Sequence, residues 1–289
     1  MIHKSKQFTF SEKRGGSSKD FFNKKKSLGQ NFLKSEKALL KMCESGDLSD
    51  KDVVLEIGPG MGVLTEKLLE RGASVISVEK DDRLIEILQE KFTEEIKNRR
   101  INLIHDDILD FSLPKNIKKY KLIANIPYNI TGAILKKFLE EEEQPTKMVL
   151  LVQKEVAERI IAKDGKESIL SISIKAYGQP KYLMTVARGS FSPAPKVDSA
   201  IIEISDINKN NFTKRGTEKI FFEIVRAGFS HKRKMLVGNL GNTFGNIDTI
   251  KTIFDKLGIN TTARAEDLTL KDWLNIERNL LESGVLINK

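Results

Sequence analysis

Cysteine is nearly absent from this chain: Cys43 stands alone among 289 residues, so no intrachain disulfide can form and a reducing compartment is expected. The three histidines, His3, His105 and His231, are scattered and have no cysteine companions, which argues against a structural zinc site. No run of eighteen apolar residues occurs, and the first twenty residues lack the apolar stretch of a secretory leader. Neither a membrane span nor a secretory signal is therefore expected, and the chain reads as cytoplasmic. Acidic residues are scarce at the N terminus: residues 1–34 hold nine Lys or Arg against Glu12 and Asp20, which accounts for most of the formal net charge of +9. A terminal block of one sign suits an arm that binds polyanions, although a solubilising tail would carry the same charge. Residues 1–22 show no hydrophobic periodicity and read as a flexible basic tail.

A hydrophobic content of 39% over this length allows a sizeable core in one large domain or two unequal ones. From Asp52 onward short β-rich runs alternate with amphipathic stretches. Strands are expected at Val53–Ile57, Ser74–Glu79, Ile101–His105, Lys121–Ala124 and Met148–Val152, with helices at Gly62–Arg71, Asp82–Asn98 and Thr131–Glu143 between them. Such alternation implies βαβ units and a mostly parallel sheet covered on both faces. Helical patterns at Lys154–Ala162 and Ser168–Tyr177 precede two late strands, Lys181–Val186 and Ser199–Ile204, expected to add antiparallel. Composition then shifts to a polar linker, Asp206–Gly216, followed by helical patterns at Glu218–Ala227, Lys232–Leu240, Thr249–Leu257 and Leu270–Leu281. The expected division is a tail at 1–22, an α/β domain at 23–205 and a smaller, mostly helical domain at 206–289.

The first strand runs into Gly58-Pro59-Gly60-Met61-Gly62 and a helix follows. Glycines there permit a tight turn and let a ligand lie against the backbone. A dinucleotide fingerprint wants glycine at the sixth position, which is Val63, so the spacing suits a nucleoside without phosphates. Glu79 ends the second strand 21 residues after Gly58, where a carboxylate can accept from both ribose hydroxyls. Asp107, just after the third strand, reaches the same crevice and can hold the exocyclic amine of an adenine ring. The fourth strand delivers Asn125-Ile126-Pro127-Tyr128. An adenine N6 amine is a poor nucleophile because its lone pair is delocalised into the ring. An Asn side-chain oxygen and a backbone carbonyl, accepting its two N–H bonds, would draw it toward a tetrahedral geometry. Pro127 stiffens the turn, and Tyr128 offers a ring on which an extruded base can stack.

Asn125–Tyr128 resembles the signature of N6-adenine methyltransferases, and Asn125-Ile-Pro-Tyr-Asn-Ile130 is similar to the form found in ribosomal RNA adenine dimethyltransferases. Lys26-Ser-Leu-Gly-Gln-Asn-Phe-Leu33 resembles that family's N-terminal cofactor motif, and Phe191-Ser-Pro-Ala-Pro-Lys-Val-Asp-Ser199 its late target-loop motif. The resemblance covers roughly residues 24–280. It implies a Rossmann-like methyltransferase domain of seven strands with a helical C-terminal domain, and S-adenosylmethionine as cofactor. It implies cofactor contacts from Asn31, Leu33, Gly58, Gly60, Glu79, Asp107 and Asn125. For the target adenine it implies Asn125, Pro127 and Tyr128, with Phe191 opposing Tyr128 across the flipped base.

The family has a small-subunit branch, which dimethylates two adjacent adenosines near the 3′ end of that RNA, and a large-subunit branch conferring macrolide resistance. Arg226-Ala-Gly-Phe-Ser-His-Lys-Arg-Lys234 and Arg264-Ala-Glu-Asp-Leu268 are similar to the small-subunit branch, although Gly228, Phe229 and His231 stand where its pattern is more uniformly basic or polar. The resemblance implies a basic helix there, with Arg226, Lys232, Arg233 and Lys234 on RNA phosphates. The implied partner is the small ribosomal subunit or its precursor, met by a monomer that needs no metal and plays a part in subunit biogenesis. An assembly factor keeping the fold without the chemistry is the rival, and intact Glu79, Asn125 and Tyr128 argue against it.

Overall fold

The computed structural model describes residues 30–162, 164–212, 217–245 and 247–284. The expected tail at 1–22 lies outside them. The chain enters through a short strand, Phe32–Leu33 (β1), and an unforeseen helix, Glu36–Gly46 (α1), whose N-cap Ser35 side chain accepts from the Ala38 N–H. The Rossmann-like region then runs Val53–Ile57 (β2), Val63–Glu70 (α2), Ser74–Glu79 (β3), Asp82–Lys91 (α3), Thr93–Lys97 (α4), Ile101–His105 (β4), Lys121–Asn125 (β5), Thr131–Glu140 (α5) and Lys147–Gln153 (β6). Lys154–Ile161 (α6), Ile169–Lys175 (α7), Gln179–Val186 (β7), Phe191–Ser192 (β8) and Ser199–Ser205 (β9) complete it.

Seven strands form one sheet in the order β4-β3-β2-β5-β6-β9-β7, with β9 antiparallel to both β6 and β7. All seven were legible, and the five inner ones, β3, β2, β5, β6 and β9, read as apolar runs because a strand covered on both faces has no polar side to show. Alternate residues feed two separate cores: Leu55, Leu122 and Leu150 meet Phe138 of α5 and Ile160 of α6 on one face. Val54, Ile123 and Val149 meet Leu39 of α1, Leu68 of α2 and Leu88 of α3 on the other. The strand order reverses between β2 and β5, which opens a crevice at their carboxyl ends.

Three expectations need correction. The helix expected over Asp82–Asn98 breaks at Phe92, whose φ of −112° leaves the helical region. The buried Phe92 ring fills the space at Gly62, where a Cβ would come within 2.5 Å of it. The linker Asp206–Gly216 is docked along its described part, because Asn208 N–H donates to Tyr177 O, and Asn211 Nδ2 to Ala176 O. Phe212 joins a ring cluster with Tyr177, Phe221 and Phe222. The basic helix beginning at Lys232 is absent. Thr217–Gly228 (α8) ends before it, Leu236–Phe244 (α9) starts after it, and Lys232–Lys234 occupy the turn between. Asn239 pins that turn from inside by donating to the carbonyls of Gly228 and His231. Three consecutive basic side chains on a helix would point 100° apart and drive one toward the core, whereas the turn leaves all three exposed.

Two more helices, Ile247–Leu257 (α10) and Leu270–Glu282 (α11), close the C-terminal bundle around Phe221, Phe254 and Trp273. Ile172 of α7 and Ala176, which caps that helix, belong to the same apolar cluster, so the bundle packs directly on the α/β region. Among the described residues no helix is long and apolar enough to cross a membrane.

Candidate active site

The crevice holds a cavity of about 290 Å³ whose walls come from β1, the glycine turn, the ends of β3 and β5, and the loop after β4. Gly58, Gly60 and Gly62 all have positive φ (62°, 60° and 73°), the region in which a side chain is strained. At Gly60 a Cβ would also lie 2.9 Å from the Phe32 ring. The turn is a bare backbone cradle, closed on one side by an aromatic from the N-terminal segment.

Glu79 ends β3 and is buried, with Oε1 accepting from the Lys80 and Asp81 N–H groups and Oε2 from the Gly60 N–H at 3.2 Å. Burial pushes its carboxyl above the usual range, while the three amides favour the charged form. Asp107 lines the cavity and binds Lys80 Nζ and the Leu109 N–H, and Lys80 holds its carboxyl below the usual range. Glu56, one strand over, is fully buried. The residue lines the cavity; its Oε2 accepts from Thr65 Oγ1 (2.7 Å) and Ser77 Oγ (2.8 Å), and its Oε1 has no partner among the described residues.

At the far wall Asn125 Nδ2 donates to the Asn31 carbonyl oxygen at 3.1 Å. That contact orients the amide, so the Asn125 side-chain oxygen is the atom left for an incoming N–H. The Pro127 carbonyl accepts from the Ile130 N–H and closes a 3₁₀ turn over Tyr128–Ile130, with Tyr128 half-buried at the rim. Leu33 is buried beneath the cavity and pairs with Phe191 across the β1–β8 ribbon. Phe191 is the exception among the expected site residues. It is 3% exposed within the apolar cluster of Leu33, Val186 and Ile201, and it does not line the cavity. Residue 191 is a strand position facing the core, so a motif aromatic has become a packing residue.

Gln30 escaped the sequence reading. It lines the cavity and donates from Nε2 to Asp81 Oδ2 at 2.9 Å, bolting the N-terminal segment to the loop that carries Glu79. The Arg83 guanidinium bonds the same carboxylate and holds it well below the usual range. Gln30 lies inside the N-terminal motif, the one signal that could have found it. Cys43 is buried and its thiol is pushed up to about 12, so it is inert. Arg226, Lys232, Arg233 and Lys234 are exposed and lie away from the cavity lining.

Burial, more than the charge of Glu79, pushes the Glu56 carboxyl up to about 7; Thr65, Ser77 and Lys91 oppose the shift. A folded-state value above the unfolded one means that folding favours the protonated acid. The stability present below about pH 4.5 is then lost as pH rises toward 7. Glu56→Gln, which is neutral throughout, should therefore melt higher than wild type at pH 8, by up to about 3 kcal/mol of stability. The difference should vanish near pH 4.5. Calorimetric melts at the two pH values that differed equally would refute the assignment.

A seven-stranded sheet of this order, with a GxGxG turn, a buried carboxylate at the end of β3 and Asn-Ile-Pro-Tyr in one crevice, defines a Rossmann-like methyltransferase. The profile described as "Ribosomal RNA adenine dimethylase" matches residues 21–282, and the chain belongs to that family of S-adenosylmethionine-dependent enzymes. It is 44% identical over 254 residues to "Ribosomal RNA small subunit methyltransferase A" of Dehalococcoides mccartyi, covering 86% of each chain. The same-named protein of Fusobacterium nucleatum is 38% identical over 258 residues, 88% of this chain and 97% of that one. Among solved structures, a dimethyladenosine transferase from Plasmodium falciparum superposes with a TM-score of 0.77 at 27% identity, over 88% of this chain and 98% of that one. The 23S rRNA methyltransferase ErmE gives 0.73 at 26%, over 86% and 99%.

Proposed function

We propose that the protein dimethylates the N6 amines of two adjacent adenosines near the 3′ end of small-subunit ribosomal RNA. It would act as a cytoplasmic monomer on the subunit or its precursor during biogenesis. The observation carrying this reading is the Asn125 amide, which lines the cavity together with Tyr128 and whose nitrogen is engaged by the Asn31 carbonyl, leaving its oxygen to accept. The small-subunit assignment draws its support from the names of the relatives at 38–44% identity.

The residues present fit S-adenosylmethionine. Gly58 and Gly60 line the cavity with bare backbone, a Cβ at Gly58 would stand in open space there, and Glu56 Oε1 is a buried acceptor lacking a donor among the described residues. Glu79 would take the ribose hydroxyls, Asp107 the adenine amine, and Asn31, Leu33, Gly58 and Gly60 the remaining backbone wall. When bound, the cofactor supplies a methyl group on a sulfonium sulfur, a strong electrophile. What remains for the protein is positioning. Asn125 Oδ1 accepts one N–H of the target amine. A backbone carbonyl of the same turn would accept the other, and we assign that of Ile126, held in place by the Pro127 ring that follows it. Tyr128 receives the flipped base on its face. The amine turns acidic only once methylated, so its proton can leave to water and no dedicated base is required.

Residues 23–205 would then be the catalytic domain and 206–289 the RNA-binding domain, meeting phosphates through Arg226 and the Lys232–Lys234 turn. Binding to unmodified small subunits should weaken with a log K against log salt slope of several units. Neutralising Lys232, Arg233 and Lys234 together should flatten the slope by about two to three units, with cofactor affinity unchanged. An unaltered slope in filter-binding titrations would put the RNA surface elsewhere. The function itself is tested by offering labelled methyl donor with unmodified small or large subunits and mapping the labelled base. Label confined to the large subunit would overturn the proposal.

A further inference from the structure

With Phe191 buried, the Phe191–Ser199 motif needs another reason to bear on the target base, and its last residue supplies one. Ser199 opens β9 and is 0% exposed. Its backbone is paired on both sides, opposite Gln153 of β6 and Val186 of β7. The residue before it is clamped as well: the Asp198 carboxylate accepts from the Arg188 N–H, and the Asp198 carbonyl from the Lys154 N–H. From this fixed point the Ser199 hydroxyl meets the Tyr128 hydroxyl at 2.6 Å, joining residues 71 apart in sequence.

We propose that Ser199 is a positioning residue for the target adenine, holding the Tyr128 ring in the plane on which the flipped base stacks. The inference rests on the stacking role given to Tyr128 above. A tyrosine turns about two side-chain bonds, and Tyr128 sits on a one-turn 3₁₀ segment at the cavity rim, with a ring that is half open. Held only at its Cβ end, the ring would swing. Held also at its hydroxyl by a residue in the middle of a sheet, it is set before the base arrives, and capture of the base need not order it. The hydroxyl is bonded to Ser199, so the service proposed for it is to the ring's angle rather than to the chemistry.

Tyr128→Phe keeps the stacking face and deletes the tether from one end; Ser199→Ala deletes it from the other. Each should slow single-turnover methylation of saturating, unmodified small subunits by about three- to tenfold, the worth of one hydrogen bond. The double variant should be no slower than the slower single one, because both remove the same contact. The subunit concentration giving half the maximal rate should not move, since phosphate contacts set it. Cofactor affinity by calorimetry should equal wild type in all three, which also verifies folding. Multiplying effects in the double variant, or wild-type rates for both single variants while Tyr128→Ala is slow, would overturn the tether. A wild-type rate for Tyr128→Ala would instead remove the stacking role, and the inference with it.

Discussion

Asn125→Ala should lower kcat for small-subunit methylation by on the order of a hundredfold or more. In the proposed reading the side-chain oxygen, oriented by the bond from Nδ2 to Asn31, would accept from an amine that becomes tetrahedral as the methyl arrives. An interaction stronger in the transition state than in the ground state is lost from turnover, while RNA affinity, set by phosphates, should stay near wild type. Cofactor affinity should fall modestly, because the alanine also releases Asn31 from the cavity wall. Asn125→Asp is informative beside it. The carboxylate would face the Asn31 carbonyl, acceptor against acceptor, so restoring an oxygen should not restore the rate. Single-turnover measurements at saturating cofactor separate the effects. If Asn125→Ala methylates at the wild-type rate, the amine-polarising role is wrong and the motif is only a turn.

Glu79→Ala should weaken S-adenosylmethionine binding by about 3 kcal/mol, or more than a hundredfold, with charge-assisted bonds to two ribose hydroxyls lost together. The structure adds a second cost. Glu79 gathers the amides of Gly60, Lys80 and Asp81, so its loss leaves three N–H groups without their acceptor and loosens the glycine cradle. Glu79→Gln should rescue little. Whichever oxygen becomes nitrogen, it meets a backbone donor: Gly60 on one side, Lys80 and Asp81 on the other. Calorimetric titration of both variants decides the point, and wild-type affinity in Glu79→Ala would remove Glu79 from the ribose site.

The amino-acid sequence by itself determined the seven strands of the large sheet and most of the helices, because those carry a local signal, whereas β1, α1 and β8 were not read from it. Strands buried on both faces read as apolar runs, amphipathic helices as periodic ones, and three glycines with positive φ as a turn that other residues strain to make. It also determined which residues reach the crevice, since Glu79 and Asn125 end their strands and Asp107 follows β4 by two residues. What touches what across the chain was left to tertiary structure. That Asn31 orients Asn125 over 94 residues, that Gln30 reaches Asp81, and that Ser199 tethers Tyr128 depend on how the strand order reverses and where β1 meets β8, which no local pattern records. The same cause sent Phe191 to the core and made the basic stretch a turn. A side chain's direction is set by the neighbours that fill the space around it, and those neighbours are distant in sequence.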